Sequence, residues 1–188
     1  MNYAGAGFIL LSSDLSTTLL VHDTRSEKWG FPKGHREHFD ENDVETAVRE
    51  MYEETGLTRD DYSIYPEAFK VAKGSHSYNF RYAVLLDEKR KTKIRPGPAN
   101  EIAGLRWASL KHLTDASDII DGNKYLRTWI ADIQSNASKK SIHLFNTLLR
   151  NYCISIYPNI PPPQSLVTMI ALLALPAPAS APSPSNSA

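Results

Sequence analysis

Three glutamates on one short segment, Glu50, Glu53 and Glu54, are the residues of this chain best placed to do chemistry. On a helix that turns by about 100° per residue, their side chains fall within a sector of about 100°. Glu50 and Glu54 form a like-charge i,i+4 pair, which costs roughly 0.2–0.5 kcal/mol unless something offsets the repulsion. Grouped oxygen ligands suit Mg²⁺ or Mn²⁺. Taken alone, the spacing is compatible with a divalent-cation site or with an ordinary acidic helix face.

A helix must hold these glutamates in register. The sequence predicts one over Asp43–Thr55, because apolar residues recur at three- and four-residue spacings and Gly56 stands in the C-cap position. The residues of this apolar stripe are Val44, Ala47, Val48, Met51 and Thr55. On the helical wheel the acidic ridge borders the stripe, so the glutamates should lie at the edge of the buried face.

The residues around this helix form a longer pattern. Gly34-His-Arg-Glu-His-Phe-Asp-Glu41 is followed, after seven residues, by Arg49-Glu-Met-Tyr-Glu-Glu-Thr-Gly-Leu57. This pattern resembles the Nudix box, the signature of hydrolases that act on nucleoside diphosphates linked to another moiety. The second half matches at every specified position. Six residues instead of five separate Gly34 from Glu41; choosing Asp40 restores that gap but lengthens the next. We interpret the difference as an insertion in the loop, with Glu41 at the family's glutamate position.

The resemblance implies a set of metal ligands. Glu53 and Glu54 would be the principal ligands of Mg²⁺ or Mn²⁺, and Glu50 would be a further ligand or the base for the attacking water. The carbonyl of Gly34 would be an additional ligand. A cation bridging diphosphate oxygens would neutralise developing charge, so no covalent nucleophile is needed.

Three more residues acquire roles in the site from the resemblance. Arg49 and Glu41 would organise the loop and the helix through a salt bridge, with direct phosphate contact by Arg49 as the alternative. Glu101 precedes a predicted strand, in a region where some Nudix enzymes carry a catalytic base or another metal ligand. An exposed glutamate at the start of a strand is the alternative for Glu101.

Substrate-binding candidates flank the box. Lys33 can reach a phosphate as a point charge, or it is a solvated loop residue. His35 is a candidate for phosphate or base contact. Tyr78 and Tyr82 alternate with Phe80 on one face of a predicted strand, where they either stack on a nucleobase or pack the core.

The choice of substrate divides between two kinds of Nudix enzyme. Pro32-Lys-Gly-His35 and the helical Glu-Thr-Ala run resemble asymmetric diadenosine tetraphosphate hydrolases, so dinucleoside polyphosphates are the leading expectation. Trp29-Gly-Phe-Pro-Lys-Gly34 and Asn100-Glu-Ile102 resemble mRNA-decapping Nudix enzymes, which makes capped RNA the alternative. A Nudix module that binds nucleotides without cleaving them is a further alternative.

Composition sets the domain organisation. The 188 residues suffice for one ordinary domain. The 21 basic and 21 acidic residues balance and all lie at or before Arg150, so a polyanion would need a local site. We expect a Nudix hydrolase domain over residues 1–157 and an uncharged Pro/Ala/Ser-rich tail over 158–188. The apolar run Leu166–Leu175 is too short to span a membrane. Without a secretory signal, a cytoplasmic or nuclear location is expected.

The resemblance and the hydrophobic pattern together predict the α/β (α+β) class, as a Nudix-type α/β/α sandwich with a mixed sheet and a catalytic loop-helix-loop. The predicted strands are Ala4–Leu11 and Thr17–Val21, forming a hairpin, then Tyr62–Ala72, Tyr78–Leu86 and Ile102–Trp107; the further helices are Ile119–Gln134 and Ser141–Tyr152. Trp29–Gly34 should be a loop. The segment Lys89–Arg95, with five basic residues, should be a solvated connection, or else a contact for an anionic substrate.

Overall fold

A mixed β-sheet with helices on both sides organises the chain. The computed structural model describes residues 3–73, 76–97, 101–114 and 121–135. The strands are β1 (Tyr3–Leu11), β2 (Thr17–Asp23), β3 (Lys28–Gly30), β4 (Lys33–His35), β5 (Tyr62–Lys73), β6 (His76–Leu85) and β7 (Ile102–Ser109). The helices are α1 (Asp43–Thr55), α2 (Leu110–Thr114) and α3 (Lys124–Ser135), with 3₁₀ turns at Arg59–Asp61 and Glu88–Thr92.

Strand β1 lies at the centre of the sheet. It runs parallel to β6 along its whole length and antiparallel to β4. Strands β1 and β2 pair as the predicted hairpin does, and their recorded register is Leu11 opposite Thr18. Strand β2 also pairs with β7 from Thr17 to Asp23, and from Val21 onward it pairs with β3. Strands β1 and β2 therefore diverge, so that β4 lies alongside β1 and β3 lies alongside β2.

The alternating side chains of β1 enter two hydrophobic clusters. Ile9 and Leu11 belong to the cluster that contains Trp129 of α3, while Phe8 and Leu10 belong to the cluster that contains Met51 of α1. Each face of the sheet is thus covered by a helix. The predicted α/β class and sandwich arrangement are confirmed.

Helix α1 has the predicted bounds, and both of its ends are capped. The side chain of Asn42 accepts hydrogen bonds from the backbone N–H groups of Val44 and Glu45 at 2.9 and 3.2 Å. Gly56 adopts a left-handed φ of 71° and donates its N–H to the carbonyl of Tyr52 at 2.9 Å. These caps fix where the helix begins and ends, and so the angular positions of its glutamates.

Three sequence predictions need revision. The expected loop Trp29–Gly34 contributes to the short strands β3 and β4, because three-residue strands show no alternation that a sequence could reveal. Helix α3 begins at Lys124 and not at Ile119, because the side chain of Asn123 accepts from the N–H groups of the next turn. The expected solvated connection after β6 contains a 3₁₀ turn.

The predicted helix Ser141–Tyr152 and the tail 158–188 lie outside the described residues, so the domain boundary at residue 157 stays a prediction. Among the helices of the described ranges, none has the length and apolarity needed to cross a bilayer.

Candidate active site

Strand β4 and helix α1 bring together the two halves of the sequence pattern that runs from Gly34 to Leu57. The carboxylate of Glu50 lies directly against the backbone of Gly34, where any Cβ would overlap it. A side chain at position 34 would therefore displace Glu50. This close approach explains why glycine stands on β4 at this point.

Arg49 is the electrostatic centre of the site. Its Nη1 lies 2.7 Å from Glu50 Oε1 and 2.9 Å from Glu53 Oε2. Its Nη2 donates to the carbonyl of His35 at 2.8 Å and to Asp40 Oδ2 at 2.9 Å. One guanidinium therefore connects the loop to the acidic ridge, and the hydrogen bonds that it donates to Asp40 and Glu50 raise the pKa of Arg49 above its usual range.

The loop partner of Arg49 is Asp40, so the expected salt bridge between Glu41 and Arg49 is wrong. Asp40 is 7% exposed and also accepts hydrogen bonds from Thr46 Oγ1 at 3.0 Å and Glu37 N at 2.9 Å. The hydrogen bond from Arg49 lowers the pKa of Asp40 to about 2. Glu41 is exposed, and its N–H donates to Glu45. The family's five-residue gap is thus kept, and the extra residue falls just before α1.

Glu54 is the most buried carboxylate of the ridge. Its side chain accepts a hydrogen bond from Lys33 N at 3.0 Å, and the residue is 7% exposed. Burial raises the pKa of Glu54 to about 8, partly offset by the positive charge of Lys33. Burial also raises the pKa of Glu50. The site holds buried acidic groups whose negative charge the protein compensates only in part.

This donor set fits a hard divalent cation. The carboxylates of Glu50, Glu53 and Glu54 and the carbonyl of Gly34 are oxygen ligands of the type that Mg²⁺ and Mn²⁺ prefer. In the structure Glu50 and Glu53 turn toward Arg49, and the described residues contain no group of three His, Cys, Asp or Glu side chains already arranged around one ion position. Each of these two carboxylates contacts Arg49 through one oxygen, Oε1 of Glu50 and Oε2 of Glu53, so the ion pairs do not engage its second oxygen.

A cavity of about 380 Å³ opens above the ridge. Its walls are Asp23, Arg25, Lys33, Gly34, His35, Glu37, Arg49, Glu50, Glu53, Glu54, Tyr78 and Glu101. Six of the lining residues are acidic and three are lysine or arginine, which suits an anionic substrate bound through a cation. It is large enough for part of a nucleotide, since ligand pockets typically measure about 300–1,000 Å³.

A family model described as a NUDIX domain matches residues 1–130, more than half of the chain. The chain belongs to the Nudix family. The pattern from Gly34 to Leu57 is its Nudix box, and the resemblance seen in the sequence is confirmed.

Two fungal relatives of this Nudix protein are named as decapping enzymes. The m7GpppN-mRNA hydrolase of Saccharomyces cerevisiae is 30% identical over 108 residues, which cover 57% of this chain and 11% of the relative. The mRNA decapping complex subunit 2 of Schizosaccharomyces pombe is 32% identical over 108 residues, which cover 57% of this chain and 14% of the relative. This chain thus spans only a small part of the length of these relatives.

A solved structure shares the Nudix fold. The Ap4A hydrolase of C. elegans superposes with a TM-score of 0.51 over 71% of this chain and 98% of its own, at 20% identity. This likeness concerns the fold.

The structure brings the sequence-predicted catalytic, metal-binding and substrate-binding residues of this Nudix domain to the cavity, with the exception of Glu41 and Tyr82. Tyr78 and Tyr82 share one face of β6, as predicted, but only Tyr78 reaches the cavity, where its hydroxyl lies 3.1 Å from His35 Nε2. Tyr82 is 2% exposed and accepts a hydrogen bond from Trp129 Nε1 at 3.1 Å. The substrate-binding assignment of Tyr82 is therefore wrong, because this end of the strand face is covered by α3.

The rim of the cavity contains residues that the sequence did not single out. Asp23 is the last residue of β2 and Arg25 lies in the β2–β3 turn, where it pairs with Glu101 at 2.9 Å. Glu101 thus lies at the site, half exposed, although its role stays a prediction. Glu37 lies on the loop after β4. Pairing of β2 with β7 brings the β2–β3 turn close to Glu101, and no local sequence pattern predicts this pairing.

Proposed function

We propose that this Nudix protein is a divalent-cation-dependent hydrolase that cleaves a pyrophosphate linkage at the 5′ end of capped RNA. The observation that supports hydrolase activity is the cavity lined by Glu50, Glu53 and Glu54, together with Arg49 and Lys33. Support for the capped substrate comes from the decapping relatives, which are 30–32% identical over 108 residues. The 20% identity to the Ap4A hydrolase supports a shared fold without favouring its substrate.

The residues of the site have different proposed roles in hydrolysis. Glu53 and Glu54, with the Gly34 carbonyl, would hold Mg²⁺ or Mn²⁺, which leaves Glu50 available as the base. When bound, the cation would supply neutralisation of phosphate charge and a lower pKa for nearby water. Lys33 points its ammonium toward Tyr78, 5.6 Å from the ring centroid, where it can contact a phosphate from the cavity wall.

Proton transfer is the task best suited to Glu50. Its pKa is raised by burial, which makes it a stronger base than an exposed glutamate. It would accept a proton from the attacking water as the water's oxygen bonds to phosphorus and one anhydride P–O bond breaks. Arg49 then positions Glu50, through the 2.7 Å contact, and does not itself react.

Dinucleoside polyphosphates are the second candidate substrates. The observation that favours them is the placement of the Pro32-Lys-Gly-His35 run: Lys33 and His35 both line the cavity, with His35 against Tyr78. An adenine or a polyphosphate chain could contact this pair. A module that binds nucleotides without cleaving them is the outcome if nothing is hydrolysed.

One product analysis tests the proposal. Purified protein with Mg²⁺ or Mn²⁺ is given capped RNA, diadenosine tetraphosphate and ADP-ribose in separate reactions in ¹⁸O-labelled water. Release of a capped nucleoside diphosphate from RNA supports decapping, and the label identifies the phosphorus attacked. Preferential cleavage of diadenosine tetraphosphate would assign the second candidate instead.

A cytoplasmic or nuclear location, as expected from the sequence, agrees with either nucleotide substrate.

Matched glutamate variants test the site itself. Glu53→Gln and Glu54→Gln each remove a proposed ligand charge, and we expect turnover to fall by at least about a hundredfold, the scale of losing one strong transition-state contact. Glu45→Gln, an exposed glutamate on the first turn of the same helix, is the control and should keep full activity. Near-normal turnover in both ridge variants would contradict the assignment.

A further inference from the structure

A second cavity of about 400 Å³ lies at the C-terminal end of α1, on the side of the helix away from the acidic ridge. Its lining includes Tyr52, Arg90, Lys93, Arg95 and Gly97. Three cations and one aromatic side chain share this cavity, whereas acidic groups dominate the first one.

The positive charge of this basic cavity is only partly compensated. Arg90 is neutralised by Asp61, with Nε 2.7 Å from Oδ1. Arg95 donates to the backbone carbonyls of Thr92 and Ile94, at 2.9 and 2.7 Å, and to no carboxylate among the described residues. Lys93 is exposed and has no ion pair within the described part of the chain. Two cations thus keep their full charge at the cavity.

Tyr52 adds an aromatic surface. It is 51% exposed on α1, one of the few large hydrophobic residues of the described chain that solvent reaches to this extent. A basic groove beside an exposed aromatic ring is the arrangement with which proteins hold single-stranded nucleic acid: bases stack on the ring and phosphates meet the cations. The chemistry of the basic cavity therefore matches a nucleotide within a chain.

The basic cavity is rigidly connected to the active site. Gly97 donates its N–H to the carbonyl of Glu54 at 3.2 Å, and a Cβ at position 97 would overlap the carbonyl of Glu53. Consecutive residues of α1, Tyr52 and Glu53, line the two cavities. The two cavities therefore meet helix α1 at adjacent residues.

We propose that the basic cavity binds one nucleotide of the RNA body, with its base stacked on Tyr52 and a phosphate against Lys93 and Arg95. This inference rests on the proposed function, because a capped RNA continues as a polyanion beyond the bond that is cleaved. The chain has no net charge, so affinity for that polyanion must come from a local patch.

A purely structural role predicts different behaviour. The last turn of α1 contains no basic residue, so the cations after β6 also face the negative end of the helix dipole. If that were their whole purpose, neutralising Lys93 would lower thermal stability and leave RNA binding unchanged. RNA affinity is therefore the measurement that distinguishes the two roles.

The experiment compares two lysines of one segment and two changes at one tyrosine. Lys93→Gln and Lys89→Gln remove the same charge from exposed side chains, but only Lys93 lines the cavity. Tyr52→Leu removes the ring, whereas Tyr52→Phe keeps it. KM is measured with capped RNA and with the cap dinucleotide, and the affinity for uncapped RNA is measured across salt concentrations.

We expect Tyr52→Leu to raise KM for capped RNA about fivefold or more, the lower end of the effect of removing one stacked base. Lys93→Gln should weaken RNA binding and reduce the slope of log K against log salt by about 0.7, the value for one phosphate contact on a single strand. Cleavage of the cap dinucleotide should change by less than about twofold, since that substrate ends before the cavity. Lys89→Gln and Tyr52→Phe should behave as the wild type.

Equal RNA affinity of the Lys93 and Lys89 variants, with normal cleavage of capped RNA, would overturn this inference and leave the proposed function standing. If the wild type fails to cleave capped RNA, the proposed function fails. A Lys93-specific loss of affinity for uncapped RNA would then still support the basic cavity, and absence of any RNA binding would overturn it.

Discussion

Replacing Asp40 by asparagine tests which loop residue holds the central arginine. Asp40 contacts Arg49 through both carboxylate oxygens, at 2.9 and 3.3 Å from Nη2 and Nε. Asparagine keeps the size of the side chain and an acceptor oxygen for Thr46, but its NH2 group cannot accept the second hydrogen bond from Arg49. The change therefore removes the charge and one acceptor. Glu41→Gln is the matched control, because this neighbouring carboxylate is exposed and does not contact Arg49.

The pKa of Asp40 gives the size of the effect. It is lowered from 3.8 to about 2, chiefly by hydrogen bonding to Arg49. A shift of this size corresponds to about 2 kcal/mol of stability at neutral pH. Breaking a buried ion pair commonly costs about 3–5 kcal/mol because a charge is left unpaired. Arg49 retains Glu50 and Glu53, so we expect the smaller value.

Urea denaturation at pH 7 should show that Asp40→Asn lowers the free energy of unfolding by about 2 kcal/mol, which corresponds to a fall in Tm of about 4–8 °C for a chain of this size. The pH dependence has a definite sign. Because the folded-state pKa lies below the unfolded value, the stabilisation is complete above about pH 4 and disappears as the pH falls through about 2. The difference between variant and wild type should shrink over that range.

Equal stability of the Asp40 and Glu41 variants at pH 7 would refute this reasoning. A larger loss in Glu41→Gln would restore the salt bridge that the sequence suggested and would mean that the loop insertion lies before residue 40.

Four further predictions concern the pH dependence of stability, the glycine on β4, the metal requirement and the tail. Without metal, the wild type should lose stability as the pH rises from 4.5 toward 8, because the raised pKa of Glu54 makes its ionisation unfavourable in the folded state; Glu54→Gln should lack this loss in thermal melts with chelator. Gly34→Ala should lower kcat more than tenfold, because its Cβ displaces Glu50, whereas Gly104→Ala, which meets only ordinary contacts at 3.7 Å, should not. Exhaustive chelation should abolish turnover and excess Mg²⁺ should restore it; activity that survives would exclude the metal-dependent mechanism. Truncation after Tyr157 should leave folding and activity intact, as measured by circular dichroism and product assay, and an unfolded product would show that the tail stabilises the domain.

Local interactions made much of the site predictable from the sequence. Helix α1 is specified by its apolar spacing, by Asn42 and by Gly56, all within a few residues of the glutamates. Once the helix is predicted, its geometry places Glu50, Glu53 and Glu54 on one ridge without further information. The Nudix resemblance then assigned the fold, and the structure agrees.

Long-range pairing decided what the sequence could not. The short strand β4 gains its position from β1, and the β2–β3 turn reaches Glu101 only because β2 pairs with β7. Three-residue strands and turns have no periodicity, so their neighbours cannot be inferred from spacing. The sequence therefore identified the acidic ridge but not the Arg25 rim.

The burial of individual side chains is the second feature that only the tertiary structure determined. Tyr78 and Tyr82 share one strand face, and both belong to the core cluster that includes α3. Only Tyr78 lines the cavity, with its hydroxyl beside His35, whereas the hydroxyl of Tyr82 meets Trp129 in the core. In the same way, Asp40 and Glu41 are adjacent carboxylates, and the loop buries only the first against Arg49. The sequence determined which side chains share a face, because that follows from backbone geometry; only packing determined which of them meet solvent, substrate or one another, because that depends on elements far away in the chain.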